Sequence, residues 1–345
     1  MGRGNLLYPP HHHPSDQTNR LGGDPKGVEG MSRSLSWKKG LGLVALALIL
    51  ISYPKLVDSY FLHLSVATLL AMIMACSWDI LARTGQVSVG QAGLFGIGAY
   101  TAALLYQKVH LHPILGMLAG ALLALMVAIG LGYLTLRLRG IYFSITTIAF
   151  AEALSVIWLM TPSITGGAMG VSTPPLFGGN REHAYYLILT LFGLVLLALW
   201  LIESSRLNFA FTAIRENEEV ANVMGINPTR YKVLAFAISA FFAGFAGGFY
   251  SHYNTYIIPY EVFGLGISIA CLVMPIFGGL YTILGPIIGT ILIKAIEEYL
   301  RVTISYGHQI AYGLILVMVV LFMPEGLIGL YKRRILPLWG RGTES

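Results

Sequence analysis

The chain has 345 residues, of which 56% are hydrophobic and only 11% charged, with a mean hydropathy of +0.71 and a net charge of +6. A soluble domain carries about 25% charged residues, so this chain lacks the polar surface to stand alone in water, and an integral polytopic membrane protein is the class that remains. The basic excess does not mark a nucleic-acid binder, because the Lys and Arg residues sit dispersed at the ends of apolar runs rather than in a stripe interleaved with aromatics.

Residues 1–38 form a Pro-, Gly- and polar-rich tail that includes His11–His13 and reads as disordered. Met31 opens "MSRSLSWKKGLGLVALALIL", a more natural start for a basic tail and a first span, so residues 1–30 read as dispensable. Residues 39–330 hold the membrane domain. Hydropathy and punctuation predict ten membrane segments near 41–57, 60–82, 86–106, 113–136, 141–161, 184–203, 232–252, 261–280, 284–300 and 308–328. Their lengths match the roughly 20 residues needed to cross the bilayer core. The runs are continuously apolar rather than alternating, which selects helices over a barrel. The expected fold class is therefore an all-α polytopic membrane protein. The third and ninth segments, one glycine-rich and one short, are expected to be broken or re-entrant, and Pro54 interrupts the first. Residues 331–345 form a basic tail.

The 22 Lys and Arg residues test this count. With a cytoplasmic N-terminus and ten spans, seventeen of them fall on the cytoplasmic side. Lys55, Lys108, Arg181 and Arg301 fall outside, and Lys294 lies within a segment. This is the asymmetry of a positive-inside protein, with both termini cytoplasmic. Ser163–His183, polar and rich in Gly and Pro, becomes the longest outer loop and suits contact with something outside the cell.

No P-loop of the form G-x-x-x-x-G-K-[ST] is present, so the chain cannot hydrolyse a nucleotide by that route. Cys76 and Cys271 fall inside apolar runs and read as packed small residues, with no metal-ligand spacing. The histidines beyond the N-terminal tail, His63, His110, His112, His183, His252 and His308, lie at outer ends as water-facing imidazoles, and no nucleophile motif accompanies them. The chain is not expected to be an enzyme.

The exception to the apolar pattern is the cytoplasmic loop 204–231, which contains "AIRENEEVANVMGINPTRY". Thr212–Met224 is predicted to be one short amphipathic helix. Glu216, Glu218 and Glu219 favour its N-terminal dipole end, Gly225 supplies its stop, and Pro228 prevents it from resuming. Its apolar residues Ala213, Val220, Val223 and Met224 are spaced so that part of one face can bury. A helix tethered at both ends to spans can act as a lever on them.

"EEVANVMGINP" resembles the E-A-A-x-x-x-G-I-N-P form of the coupling motif in ABC importer permeases. The longer stretch "AIRENEEVANVMGINPTRYKVLAFAISAFFAGFAGGFY" is similar to the LivM-like permease subunits of branched-chain amino acid importers. "GQVSVGQAGLFGIGAYTAALL", "RLRGIYFSITTIAFAEAL", "TGGAMG", "FGGLYTILGPIIGT" and "PEGLIGL" agree with the same family in order, over roughly residues 60–330. Two departures stand out. Val220 replaces the first alanine of the motif, and "SWDILARTG" replaces an Asn-Leu-Leu-Gly-like approach, placing Asp79 near a span end.

The resemblance implies a permease subunit in the inner membrane of a prokaryote. It also implies a homologous H-type permease as heterodimer partner, two cytoplasmic ABC ATPases that use ATP and Mg, and an extracytoplasmic solute-binding protein. It implies no cofactor in this subunit. Arg215, Glu216, Glu218, Glu219, Gly225 and Asn227 become the ATPase-coupling residues. The solute is not inherited with the fold, since family members carry branched-chain and other amino acids, urea and short amides. A stand-alone secondary transporter or channel is the alternative class, in which loop 204–231 would be a solvated connection only.

Gln86, Ser88 and Gln91, in the glycine-rich third segment, and Thr146 and Glu152, in the fifth, are the candidates for the translocation pathway. The glycines themselves fit close helix packing, and close approach and a broken helix coincide at many transporter sites. Glu152 is an ionisable group at mid-span, expensive in lipid, and its structural alternative is a buried hydrogen bond to a neighbouring span or partner subunit. Asp79 and Lys294 read as residues in salt links or snorkelling to an interface, and the 19 tyrosines as interfacial belts.

Overall fold

The computed structural model describes residues 49–135, 138, 140–304, 307–322 and 326–329. Residues 49–56 are helical and belong to a first unit that ends at Val57. The rest of the predicted segment 41–57, the possible start at Met31 and the basic tail 331–345 lie outside the described residues. The second unit begins at Asp58.

That unit is a bundle of α-helices: α1 Ser59–Ala82, α2 Gln91–Val109, α3 Pro113–Thr135, α4 Ile141–Leu159, α5 Arg181–Ser204, α6 Arg206–Glu216, α7 Glu218–Val223, α8 Pro228–Asn254, α9 Leu265–Gly278, α10 Leu284–Thr303 and α11 His308–Phe322. Among the described residues, six helical stretches are long and apolar enough to cross a membrane: α1, α3, α4, α5, α8, and α9 together with the Pro259–Val262 turn before it. The all-α polytopic class holds; ten spans are not established. The difference has physical causes. The α2 helix is diluted by glycines, α10 carries Lys294, Glu297, Glu298 and Arg301, and α11 is short. The predicted third segment starts late rather than breaking: residues 83–90 are non-helical or turn, and α2 then runs unbroken from Gln91 to Val109, as α10 does from Leu284 to Thr303.

The core forms where α8 packs on α2 and α3. A Cβ on Gly98 would stand 1.9 Å from the Gly244 carbonyl oxygen, so these two backbones touch and only glycine fits. In contrast α4 is the most open of the long apolar helices, with only Phe143, Thr147, Ala151 and Ser155 buried along one narrow stripe. At the end of the bundle opposite the 204–231 connection, Val171–Ser172 and Tyr256–Ile257 pair antiparallel as a two-residue ribbon, in the register Val171 with Ile257. Both cysteines are buried and free.

Candidate functional site: the 204–231 connection and its seat

The connection is two helices where one was predicted over Thr212–Met224. Asn217 breaks it with an extended backbone (φ −157°, ψ 108°), and its side-chain oxygen accepts from the Glu219 and Val220 amides, at 3.0 and 3.1 Å. Asn is among the strongest N-caps, so a residue passed over in the sequence reading ends α6 and starts α7. The stop at Gly225 is as predicted. Its φ is +86°, the Gly225 amide bonds to the Asn222 carbonyl, and the Ile226 amide reaches back to Ala221, both at 3.0 Å. This is the paired closure that left-handed glycine permits at a helix end. Asn227 then caps α8, accepting from the Arg230 amide at 3.1 Å, and Pro228 occupies the first turn.

The apolar residues of α7 do not bury as predicted. Ala221 is buried at 1%, but Val220, Val223 and Met224 are 53%, 87% and 74% exposed. Three adjacent apolar side chains therefore project from a rigidly capped tip. Glu216 and Glu219 are also exposed, whereas Glu218 turns inward onto the buried Lys232 ammonium at 2.7 Å. Arg215 turns inward too. Its guanidinium stands 4.0 Å above the Tyr281 ring, in the turn between α9 and α10, and 3.4 Å from Glu216.

Tyr281 links this helix pair to the membrane bundle. Its amide donates to Asp79 Oδ1 at 3.0 Å, and the other carboxylate oxygen of Asp79 accepts from Arg83 Nε at 3.0 Å. Arg83 also lies 3.7 Å from Glu203, at the end of α5. Asp79 and Arg83 are a buried i,i+4 ion pair, the salt link expected of Asp79, with the carboxylate fully buried. Burial holds the Tyr281 phenol above its usual range, against the opposing pull of Arg215. The ring thus stays neutral and offers its negative face to the cation. The chain Arg215–Tyr281–Asp79–Arg83–Glu203 thereby joins α6, the α9–α10 turn, α1 and α5.

The pathway candidates divide. Gln91 is fully buried, and its amide donates to Ser77 and Ser239 at 3.0 and 3.2 Å. Ser88 is buried, with its hydroxyl accepting from the Gly90 amide and its carbonyl accepting from Trp78 Nε1. Gln86 lines a polar cleft of about 370 Å³ together with Arg215, Glu216, Glu218 and Glu219, so it lies beside the 204–231 connection rather than with the other pathway candidates. The stretch between is held on α4: Ser144 donates to the Val87 carbonyl at 2.6 Å, and the Val89 amide to Thr147 at 3.1 Å. Thr146 is half-buried and donates to its own helix at Tyr142, while Glu152 is exposed on the open face of α4. The histidine reading needs one correction. His252 is not water-facing but fully buried, its Nδ1 3.3 Å from the Pro174 carbonyl.

The family described as "Branched-chain amino acid transport system / permease component" matches residues 60–323. The high-affinity branched-chain amino acid permease proteins LivM of Salmonella typhimurium and of Escherichia coli K12 are each 29% identical over 333 residues, covering 86% of this chain and 77% of theirs. The Escherichia coli K12 LivH permease protein is 26% identical over 269 residues, covering 71% of this chain and 86% of its own. No solved structure matches.

Proposed function

The chain belongs to the branched-chain amino acid transport system permease family, a multi-pass membrane permease subunit and not an enzyme, and on that premise we propose how it works as one half of an ATP-driven importer. Its partner in the membrane is a homologous H-type permease, and the relatedness of LivH to this chain supports a pair built from two similar folds. Two cytoplasmic ABC ATPases drive the pair with ATP and Mg, and an extracytoplasmic binding protein delivers branched-chain amino acids or related small polar solutes. The membrane is the prokaryotic inner membrane. Both termini and the 204–231 connection face the cytoplasm, where the positive-inside asymmetry puts them.

The observation that carries the reading is the exposed apolar tip of α7. A connection between spans that met only water would gain nothing from holding Val220, Val223 and Met224 outward on a doubly capped helix. Such a patch, flanked by Glu216 and Glu219, fits a groove in a partner protein with a basic rim. ATPase closure moves α6 and α7, and the Arg215–Tyr281–Asp79 chain carries that movement to α1 and the α9–α10 turn as well as to α5 and α8.

The open face of α4 supplies the pathway. Ile141, Tyr142, Ile145, Val156 and Met160 are exposed there, with Glu152 among them. Lipid tails cover the apolar members well but not a mid-span carboxylate. The H-type permease therefore covers this face, and Glu152 lines a hydrated route between the two subunits.

The test is reconstitution. Purified alone, the chain is expected to show no ATP turnover. Co-expressed with its H-type partner, it is expected to retain the ATPases through purification, and the assembly to hydrolyse ATP in response to solute-loaded binding protein. Substantial turnover by the lone chain, or a permease pair that never retains the ATPases, overturns the reading.

A further inference from the structure

A groove of about 480 Å³ opens where α3, α5, α6 and α8 meet, with no wall from α4. Leu125 of α3, Leu201 of α5, Leu207 of α6, and Ile238, Phe241 and Phe242 of α8 line it. Its one polar side chain is Ser205, between α5 and α6, and that hydroxyl is already engaged. It donates to the Ile202 carbonyl at 3.0 Å and accepts from the Leu207 amide at 3.2 Å. The walls therefore offer a ligand burial of hydrocarbon and nothing else.

The depth of the groove is that of one leaflet. Leu125 lies ten residues, or about 15 Å, from Thr135 at the end of α3, and Ile238 lies equally far from Pro228 at the start of α8. Half of the ~30 Å hydrocarbon core is about 15 Å. The groove thus runs from the α5–α6 joint, at the end of the bundle that carries the 204–231 connection, to about the membrane midplane. A helix of a second subunit would need an apolar seat across the whole core, whereas an acyl chain of one leaflet needs only this half.

Two arginines stand at the mouth. Arg206 is the first residue of α6, between Ser205 and Leu207, which are both in the groove wall. Arg230 is in the first turn of α8 and shares one face of that helix with Leu234, Ile238 and Phe241, at spacings of four, four and three. The Phe211 and Tyr231 rings, with centroids 6.4 Å apart, pack α6 on the same turn. Both arginines are exposed, and among the described residues neither forms an ion pair. Glu203, the carboxylate nearest Arg206 in the sequence, lies 3.7 Å from Arg83 instead. Trp200 and Phe209, also exposed, flank the joint as aromatic side chains do where a helix meets the headgroup layer.

We infer that this groove binds an anionic phospholipid of the leaflet on that side, with one acyl chain along α3, α5 and α8 and the phosphate between Arg206 and Arg230. Arginines at that level need no burial to act, because the lipid phosphate lies in the same wet interfacial layer. A guanidinium also grips phosphate oxygens in pairs. A lipid without net charge would fill the groove but leave both arginines unmatched. The headgroup so held bridges the start of α6 to the start of α8, the two helices that flank α7, and ties the connection to the membrane surface. This binding needs no ATPase and adds to the importer reading without resting on it.

The full chain, purified in a non-ionic detergent, is titrated with dioleoyl phosphatidylglycerol, dioleoyl phosphatidylcholine and sn-glycerol 3-phosphate, and bound ligand is counted by native mass spectrometry. One equivalent of phosphatidylglycerol is expected to bind saturably, at least about fivefold tighter than phosphatidylcholine, while glycerol 3-phosphate, a headgroup phosphate without chains, does not bind. Arg206→Gln and Arg230→Gln are each expected to weaken phosphatidylglycerol about fivefold and to leave phosphatidylcholine unchanged, whereas a loss of folding would weaken both lipids. Ala198→Phe, which fills the groove from α5, is expected to weaken both lipids together. Equal binding of the two lipids, an undiminished preference when both arginines are replaced, or full binding by the Ala198 variant overturns the inference. Saturable binding of glycerol 3-phosphate would make this a site for a soluble phosphate ester, and loss of the lipid on co-purification with the H-type permease would make the groove a subunit interface; either result also overturns it. With no ATPase in the assay, failure here leaves the importer reading standing, and failure of ATPase retention leaves the lipid site standing.

Discussion

Arg215, at the end of α6, holds its guanidinium 4.0 Å from the centre of the Tyr281 ring, across the boundary between the 204–231 connection and the membrane bundle. A partly desolvated stack of this kind contributes about 1–2 kcal/mol. Tyr281 also has a left-handed backbone (φ 64°), a conformation a bulky residue seldom adopts. The bundle holds that turn through the bond from the Tyr281 amide to Asp79.

On the proposed function, this contact is expected to separate recruitment of the ATPases from transmission of their movement. Tyr281→Phe keeps the ring and is expected to transport normally. Tyr281→Ala removes the stack, and Arg215→Lys keeps the charge but replaces the planar guanidinium with a compact ammonium that stacks less well. Both are expected to retain ATPases and turnover while solute imported per ATP falls several-fold. Equal stoichiometry in Tyr281→Ala and the unsubstituted protein, measured in proteoliposomes, would remove Arg215–Tyr281 from the coupling route.

The Asp79–Arg83 pair gives a stability prediction. Removing one member of a buried pair leaves the other charge uncompensated, at about 3–5 kcal/mol, whereas replacing both with apolar residues of similar size is often neutral. Asp79→Leu is therefore expected to lower the melting temperature in detergent sharply. Asp79→Leu with Arg83→Leu should recover much of the loss, although Glu203 and the Tyr281 amide lose a partner as well. If the double variant melts no higher than the single, the pair is not an independent unit.

Much of this site was legible in the sequence, and the misses have physical reasons. Glycine in the left-handed turn at 225 and the Asn227–Pro228 start of α8 are local backbone chemistry, which sequence reports directly. Asp79 and Arg83 were also within reach, at i,i+4 near a span end. Tyr281 was not, because its partner Arg215 is 66 positions away and no local pattern ties an aromatic in one turn to a cation in another. The direction of α7 was misread for a related cause. Helical periodicity names a face but not what it meets, and here the apolar residues project outward while Ala221 packs. Gln91 was assigned to the pathway for its polarity, whereas its neighbours Ser77 and Ser239 come from α1 and α8.

The exposed tip yields a test of docking. Val223 is 87% exposed and a Cβ on Gly225 meets no atom within 4 Å, so neither position packs against the bundle. Val223→Asp is expected to leave thermal stability within about 0.5 kcal/mol of the unsubstituted chain and to abolish ATPase retention. Gly225→Val forces a β-branched residue into a left-handed turn at about 1–2 kcal/mol and is expected to weaken retention by re-aiming the tip. Both variants should still pair with the H-type permease. Full retention by the Val223 variant would make α7 a plain connection.

On the proposed function, Glu152 tests where the solute passes relative to the subunit boundary. It stands on the exposed side of α4, flanked on that side by Ile145, Ala149 and Val156, while Thr147, Ala151 and Ser155 face the bundle. A carboxylate at that depth against acyl chains is costly unless it bends toward the surface, whereas one beside a hydrated route can act on whatever passes. Glu152→Gln removes the charge and keeps the shape, so assembly with the H-type permease and basal ATP turnover are expected to survive. Solute-stimulated uptake in proteoliposomes is expected to fall at least about tenfold, the loss of one charge-assisted contact. Glu182→Gln is the control. Glu182 lies in the first turn of α5, beside its Asn180 cap, at the opposite end from the connection, and the change there should alter uptake by less than twofold. Cysteine substitution supplies the geometric half of the test. A cysteine at 152 in the assembled importer should react with a water-soluble thiol reagent and be protected by solute, because the native Cys76 and Cys271 are buried and stay silent. Equal uptake by the Glu152 and Glu182 variants, together with an unreactive cysteine at 152, would place this face against lipid or against the partner's core and move the route elsewhere.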